Sequence, residues 1–175
     1  MSSLDWSLKI RKKVRNEGRS KGKNPYYRGG IMPYCIDNGK IWFCMGKDLR
    51  TGDLTDFGGG IWKNETIMEG AFREFMEETG TMFEKFGVTS IEDLRGTTCL
   101  VKETMAIIFL PVSIKVKKET ENSKEENISG EISGIEWVTE IDLFRKNQTR
   151  VWTRISNFFY GNEMKLLRVL SSVYV

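Results

Sequence analysis

The chain has 175 residues, 39% of them hydrophobic and 11% aromatic, which suffices for one domain with a real core and excludes a disordered chain. Its net charge is +3, but nine Lys or Arg stand between Lys9 and Arg28 against the single acid Glu17, which leaves the remainder net acidic. There is no histidine, which excludes imidazole acid–base chemistry and His-ligated zinc, and no apolar run is long enough to span a bilayer.

In chain order, residues 3–17 predict a helix with a basic exposed face, and the first residues lack the apolar centre of a secretion signal. "GRSKGKNP", residues 18–25, predicts a flexible linker. The basic arm over 1–25 is thereby set apart from a domain over 26–175. Apolar runs on both sides of Asn38-Gly39 predict a β-hairpin. "LTDFGGG" predicts a short strand running into a glycine turn. Thr66 and Glu69 form a T-x-x-E capping box, so a helix starts near residue 67, and Gly80 is placed to end it. Met68, Ala71, Phe72, Phe75 and Thr79 line its expected buried face.

"GTTCLVKE" and "MAIIFLPVSIKV" predict two strands, and "KKETENSKEENISGE" a long charged loop. "GIEWVTEIDL" predicts a strand and a helix start, and "TRVWTRISNFFYGNEMKLLRVL" a last helix that Gly161 breaks in two. Strands, helix, strands, helix imply a mixed sheet with helices packed on it, in the α/β or α+β range. Cys35, Cys44 and Cys99 have no metal-ligand spacing and are expected as reduced core residues of a cytoplasmic protein.

Glu74, Glu77 and Glu78 crowd five positions of the helix and fall within about a third of its circumference, beside the apolar stripe. E-x-x-E-E alone is more often a solvated helix face. As a cluster it also suits a hard divalent cation, because Mg²⁺ takes carboxylate and carbonyl oxygens and serves phosphate chemistry. Gly58, Gly59 and Gly60 lack a Cβ, so the backbone there can approach a ligand closely, and a carbonyl from this stretch is a further candidate ligand.

Residues 59–80 read G-x5-E-x7-R-E-F-x-E-E-T-G. This closely resembles the Nudix box, G-x5-E-x7-R-E-U-x-E-E-x-G-U, where U is a bulky aliphatic residue. Gly59, Glu65, Arg73, Glu74, Glu77, Glu78 and Gly80 match at the right spacing; Phe75 is an aromatic U, and Thr81 departs from the aliphatic that follows the last glycine. The preceding hairpin and the later Trp-bearing segment extend the resemblance over residues 27–160. It implies an α/β/α sandwich with a mixed sheet. It also implies Mg²⁺- or Mn²⁺-dependent hydrolysis of a phosphoanhydride in a nucleoside diphosphate linked to another group.

Carried over by position, the resemblance makes Glu74, Glu77 and Glu78 metal ligands, with the Gly58 carbonyl a further one. Glu74 is a candidate base, Arg73 orients the carboxylates, and Glu65 ties the loop to the helix, with Gly59 and Gly80 supporting the site. Some branches place the base on a later loop, where this chain has Glu131 and, as weaker candidates, Glu125 and Glu126.

Substrate choice lies outside the box. ADP-ribose-cleaving members carry a proline downstream, where this chain has Gly96, and members that cleave diadenosine polyphosphates often carry a tyrosine that is missing between residues 80 and 160. "DFGGG" resembles the entry of diphosphoinositol and dinucleoside-polyphosphate hydrolases and of large-DNA-virus members, some of which remove mRNA caps. The arm offers a sequence-independent attraction for polyphosphate or RNA, or serves as a solubilising tail. Trp42, Trp62, Trp137, Trp152, Tyr26, Tyr27 and Phe57 offer stacking faces, with Trp62 first among them. Arg28, Lys47 and Arg50 are the candidate basic contacts. The leading expectation is a hydrolase of dinucleoside polyphosphates or capped RNA. The alternatives are a housecleaning hydrolase of NTPs, ADP-ribose or inositol pyrophosphates, and a non-catalytic nucleotide- or RNA-binding module, against which the intact E-x-x-E-E argues.

Overall fold

The computed structural model describes residues 23–62, 65–121 and 129–174, with side chains from residue 28 onward. The expected helix over 3–17 and the loop acids Glu125 and Glu126 lie outside these residues. Two compact units divide the chain: one runs to Ile31 and resumes over Phe57–Leu110, the other comprises Met32–Asp56 and Pro111–Val175. Strand β1 (Lys23–Asp37) contributes its first part to one unit and its second part to the other. It takes in the last three residues of the expected linker.

In the first unit, β1 pairs antiparallel with β4 (Phe57–Trp62), with Gly29 opposite Gly59, Gly30 opposite Gly58 and Ile31 opposite Phe57. The three glycines are therefore strand residues, which corrects the expected glycine turn. Side chains alternate between the two faces of a strand, and it is Gly59 whose missing side chain makes room for the helix. Strands β5 (Thr98–Lys102) and β6 (Met105–Pro111) form a hairpin, with Glu103 in the left-handed region at φ 56°. Helix α1 (Ile67–Thr79) is capped by a reciprocal box in which Thr66 Oγ1 accepts from the Glu69 amide and Glu69 Oε1 from the Thr66 amide, both at 3.1 Å. Gly80 stops it at φ 59°, donating to the Met76 carbonyl at 2.9 Å. Phe75 packs edge-on to Phe57 at 5.7 Å and against Phe83 at 5.2 Å, which fixes the helix in its core.

The buried face of α1 is Ile67, Gly70, Ala71, Glu74, Phe75, Glu78 and Thr79, whereas Met68 and Phe72 are half-buried. The face expected from hydropathy is thus turned toward the carboxylates. Gly59 in the strand below leaves room there for the Glu74 carboxylate.

In the second unit, β1 and β2 (Lys40–Asp48) form the expected hairpin, with Asn38 at φ 52° and Gly39 at φ 74° in the two-residue turn. β2 also pairs with β3 (Leu54–Thr55) and antiparallel with β7 (Ile132–Thr139). A parallel bridge joins Leu54 to Val151. Ile114–Glu121, expected as strand and loop, is helix α2; its Thr120 hydroxyl accepts from the buried Trp137 indole at 2.9 Å, and tertiary packing overrides the β-branched residues there. Short α3 (Glu140–Leu143) follows β7, and Gly161 at φ 85° separates α4 (Thr153–Phe159) from α5 (Glu163–Val173). Phe43, Phe144, Phe159 and Phe158 form a chain of ring contacts between 5.3 and 6.2 Å.

The strands and helices give the α+β class with a mixed sheet, as expected. Cys35, Cys44 and Cys99 are buried thiols outside any disulfide, and burial pushes Cys35 up to about 11. Among the described residues no helix is long and apolar enough to cross a membrane.

The capping box yields a first prediction. Thr66→Ala should cost about 1 kcal/mol in a denaturant titration, and Thr66→Ser should recover most of it. Equal stability of Thr66→Ala and the parent chain would contradict the cap's role.

Candidate functional site

The site is built where α1 crosses β4, within the first unit. Gly59 lies under the helix so closely that a Cβ there would stand 2.6 Å from the Glu74 carboxyl carbon and 2.6 and 2.7 Å from its oxygens. Gly29 and Gly70 serve the same approach, since a Cβ on either would meet Ile61 Cδ1, at 2.8 and 2.5 Å. Neither entered the sequence argument; Gly70 inside a helix that otherwise lacks glycine was the signal available for it. The result is that Glu74, 2% exposed, lays its carboxylate on bare backbone. Glu78, one turn further on, is 5% exposed.

A buried carboxylate needs compensating charge and hydrogen bonds. Arg73 supplies them. Its Nε and Nη2 donate to the two oxygens of Glu65 at 2.8 and 2.9 Å, a bidentate pair. Nη1 donates to Glu74 Oε1 at 3.0 Å and reaches both Glu77 oxygens at 3.4 Å, while Nη2 also donates to the Gly60 carbonyl at 3.1 Å. Burial lowers the guanidinium's affinity for its proton, but the bonds and charges of Glu65 and Glu74 outweigh this and hold it above its ordinary value. Glu65 Oε1 in turn accepts from the Trp62 amide at 2.7 Å, so the loop after β4 is tied to the helix through one carboxylate. The Trp62 ring lies 5.2 Å from the Arg73 guanidinium carbon.

Glu77 stands apart from this buried pair, with its side chain 58% exposed. Among the described residues no three acid, Cys or His side chains converge as a group that could hold a metal ion. The donor set nonetheless fits a hard divalent cation. Mg²⁺ is commonly held by one or two carboxylates, with substrate phosphates completing its shell. Glu74 and Glu78 are such a pair, on one helix face. Glu77 and Glu78 also stand in the last turn of α1, at the negative end of its dipole, and that turn contains no basic residue. Gly59 brings the Glu74 carboxylate down onto the strand backbone beside Gly58.

The remaining candidates are distributed as follows. Arg28, in the first unit, is half-buried, and its amide donates to the Thr104 carbonyl at 2.9 Å. Lys47, Arg50 and Glu131 belong to the second unit and are exposed; the Glu131 carbonyl accepts from the Leu49 amide at 2.8 Å. Phe57 and Trp137 are core residues, and the Trp42 ring is covered by Lys117 Nζ at 4.2 Å. The side chains of Tyr26 and Tyr27 lie outside the described residues.

Residues 34–159 match the model of the NUDIX domain. No curated protein matches the chain. Among solved structures, a mutT/nudix family protein from Listeria innocua is similar at 11% identity and TM-score 0.54, over 85% of this chain and 95% of that one. A binary complex of an Ap4A hydrolase from C. elegans is similar at 18% identity and TM-score 0.46, over 84% of this chain and 96% of that one.

Gly59→Ala tests the close approach. The atom that must yield is the end of a flexible side chain, so the fold should survive with a melting point lower by roughly 2–8 °C. The Glu74 carboxylate should leave its place and lose its bond to Arg73, as seen in a crystal structure of the variant. An unmoved Glu74 would contradict the packing described.

Proposed function

The chain belongs to the NUDIX hydrolase family, and from that premise we propose that it is a divalent-metal-dependent pyrophosphohydrolase acting on a nucleoside diphosphate linked to a second group. Dinucleoside polyphosphates and capped RNA are the leading substrates. The observation that carries the reading is the buried pair Glu74 and Glu78 on one face of α1, with Glu74 laid against Gly59 and bound by Arg73.

In this reading Glu74 and Glu78 hold Mg²⁺ or Mn²⁺, with the Gly58 carbonyl as a further donor and Glu77 at the exposed rim. The bound cation supplies charge neutralisation to the phosphates. Arg73 does not need to touch substrate: its donors are engaged by Glu65, Glu74, Glu77 and Gly60, and its work is to fix the direction of Glu74. Glu65 transmits that order to the loop after β4. Glu74 accepts the proton of the attacking water, because a helix anchored by Phe75 holds a carboxylate more rigidly than the exposed segment carrying Glu131 does. Gly80 ends the helix just after Glu78 and so sets where the carboxylate face stops. The basic residues between Lys9 and Arg28 draw a long polyanion toward the domain, and Lys47 and Arg50 add exposed positive charge.

The test is a substrate panel with Mg²⁺ or Mn²⁺, read by product chromatography: dinucleoside polyphosphates, capped RNA, NTPs, ADP-ribose and inositol pyrophosphates. Cleavage of one of the first two is expected, abolished by EDTA. Glu78→Gln should lower turnover by more than roughly 100-fold, beyond what a residue merely supporting a metal costs, with circular dichroism unchanged. Glu74→Gln should lose at least as much as Glu131→Gln. Full activity in EDTA contradicts the metal. A dead Glu131→Gln beside an active Glu74→Gln moves the base to the loop. Removing residues 1–23 should weaken turnover of capped RNA in a salt-sensitive way while sparing a small dinucleotide; equal effects on both would contradict the arm's role.

A further inference from the structure

We propose that Trp62 is a positioning residue of this site: its indole face holds the Arg73 guanidinium in the plane that aligns Glu65 and Glu74. The inference rests on the hydrolase reading for its kinetic consequence, though not for its geometry.

A guanidinium has five N–H donors in one plane. In Arg73 those directions are met in the plane by Glu65 on two atoms, by Glu74, by the Gly60 carbonyl and, at longer range, by Glu77. In-plane bonds fix the rotation of the fork. They resist tilting of the plane less well, because hydrogen bonds tolerate moderate bending. A contact from outside the plane of the fork is what opposes tilt; with the in-plane directions taken by oxygens, the Trp62 ring, its centroid 5.2 Å from the guanidinium carbon, is placed to provide one. Tryptophan is the best ring for such a contact, and arginine is the cation found there more often.

The geometry also fixes the ring from its other end. The Trp62 amide donates to Glu65 Oε1 at 2.7 Å, and that oxygen also accepts from Arg73 Nη2. Backbone and side chain of Trp62 therefore grip the same ion pair, one through Glu65 and one through Arg73. Both residues are only partly buried, with the Arg73 side chain 23% exposed, so the pairing is not a by-product of a closed core. A ring committed to Arg73 in this way acts through Arg73 and is not the primary stacking face for a substrate base.

The experiment compares Trp62→Phe with Trp62→Leu in the full-length chain. Phenylalanine keeps a π face, whereas leucine keeps only apolar bulk. The first readout needs no substrate: hydrogen exchange of the Arg73 Nε–H followed by ¹⁵N NMR. Exchange should be roughly tenfold faster in Trp62→Leu and within about threefold of the parent in Trp62→Phe. The second readout is the split between kcat and KM on a dinucleoside tetraphosphate with Mg²⁺. Trp62→Leu should lower kcat by roughly threefold to thirtyfold, the span of such contacts from exposed to desolvated, with KM within about twofold. Trp62→Phe should restore kcat. Equal exchange rates in the two variants overturn the clamp. A raised KM at unchanged kcat also overturns it and makes the ring a substrate contact. Should the parent chain hydrolyse nothing, the exchange difference would still support the clamp while the hydrolase reading failed.

Discussion

The planar fork of Arg73 is the interaction on which the site depends. Four carboxylates, Glu65, Glu74, Glu77 and Glu78, belong to one short helix and the loop before it, and two of them are nearly out of water. Left alone they would repel one another and resist burial. Arg73 binds three of the four directly. A lysine could not replace it, because a point charge on a flexible stem has no fixed fork with which to meet Glu65 bidentately while reaching Glu74.

That interaction in turn requires the helix to lie low on its strand. Three glycines make this possible: Gly59 leaves room for the Glu74 carboxylate, and Gly29 and Gly70 leave room for Ile61. Phe75 between Phe57 and Phe83 supplies the apolar contact that holds the helix down. Packing and chemistry are thus carried by alternating positions of the same face. Phe75 and Ala71 bury apolar surface, while Glu74 and Glu78 bury carboxylates.

Much of this was legible in the residues. The capping box at Thr66 and Glu69, the stop at Gly80 and the hairpin at Asn38-Gly39 depend on local chemistry, and the structure has all three. The family resemblance rested on residue types at fixed spacing, and the family model matches residues 34–159. What depended on tertiary context was not legible. Hydropathy placed Met68 and Phe72 on the buried side, because it assigns glutamate to solvent. It has no means of knowing that Gly59 and Arg73 make a berth for Glu74. The glycine stretch suggested a turn because glycine usually marks one, whereas here β1 pairs with it and the missing side chains are the point. Helix α2 was missed for a similar reason: "SIKV" has strand-like β-branched residues, and the Trp137–Thr120 bond that helps to hold the segment as helix joins positions far apart in sequence. The contact of the Trp62 ring with Arg73 was equally hidden, since it depends on how the folded chain brings Trp62 to the helix, where its amide meets Glu65.

The central claim is that Glu74 and Glu78 together hold a divalent cation, and it is tested most directly without any substrate. Mn²⁺ titrated into the parent chain, followed by electron paramagnetic resonance, should bind saturably. Glu74→Gln and Glu78→Gln should each weaken that binding by more than roughly 100-fold, beyond the loss of a residue that only supports a ligand, while Glu92→Gln, an exposed acid paired with Arg95, should leave it unchanged. Binding that is the same in all four proteins would contradict the account.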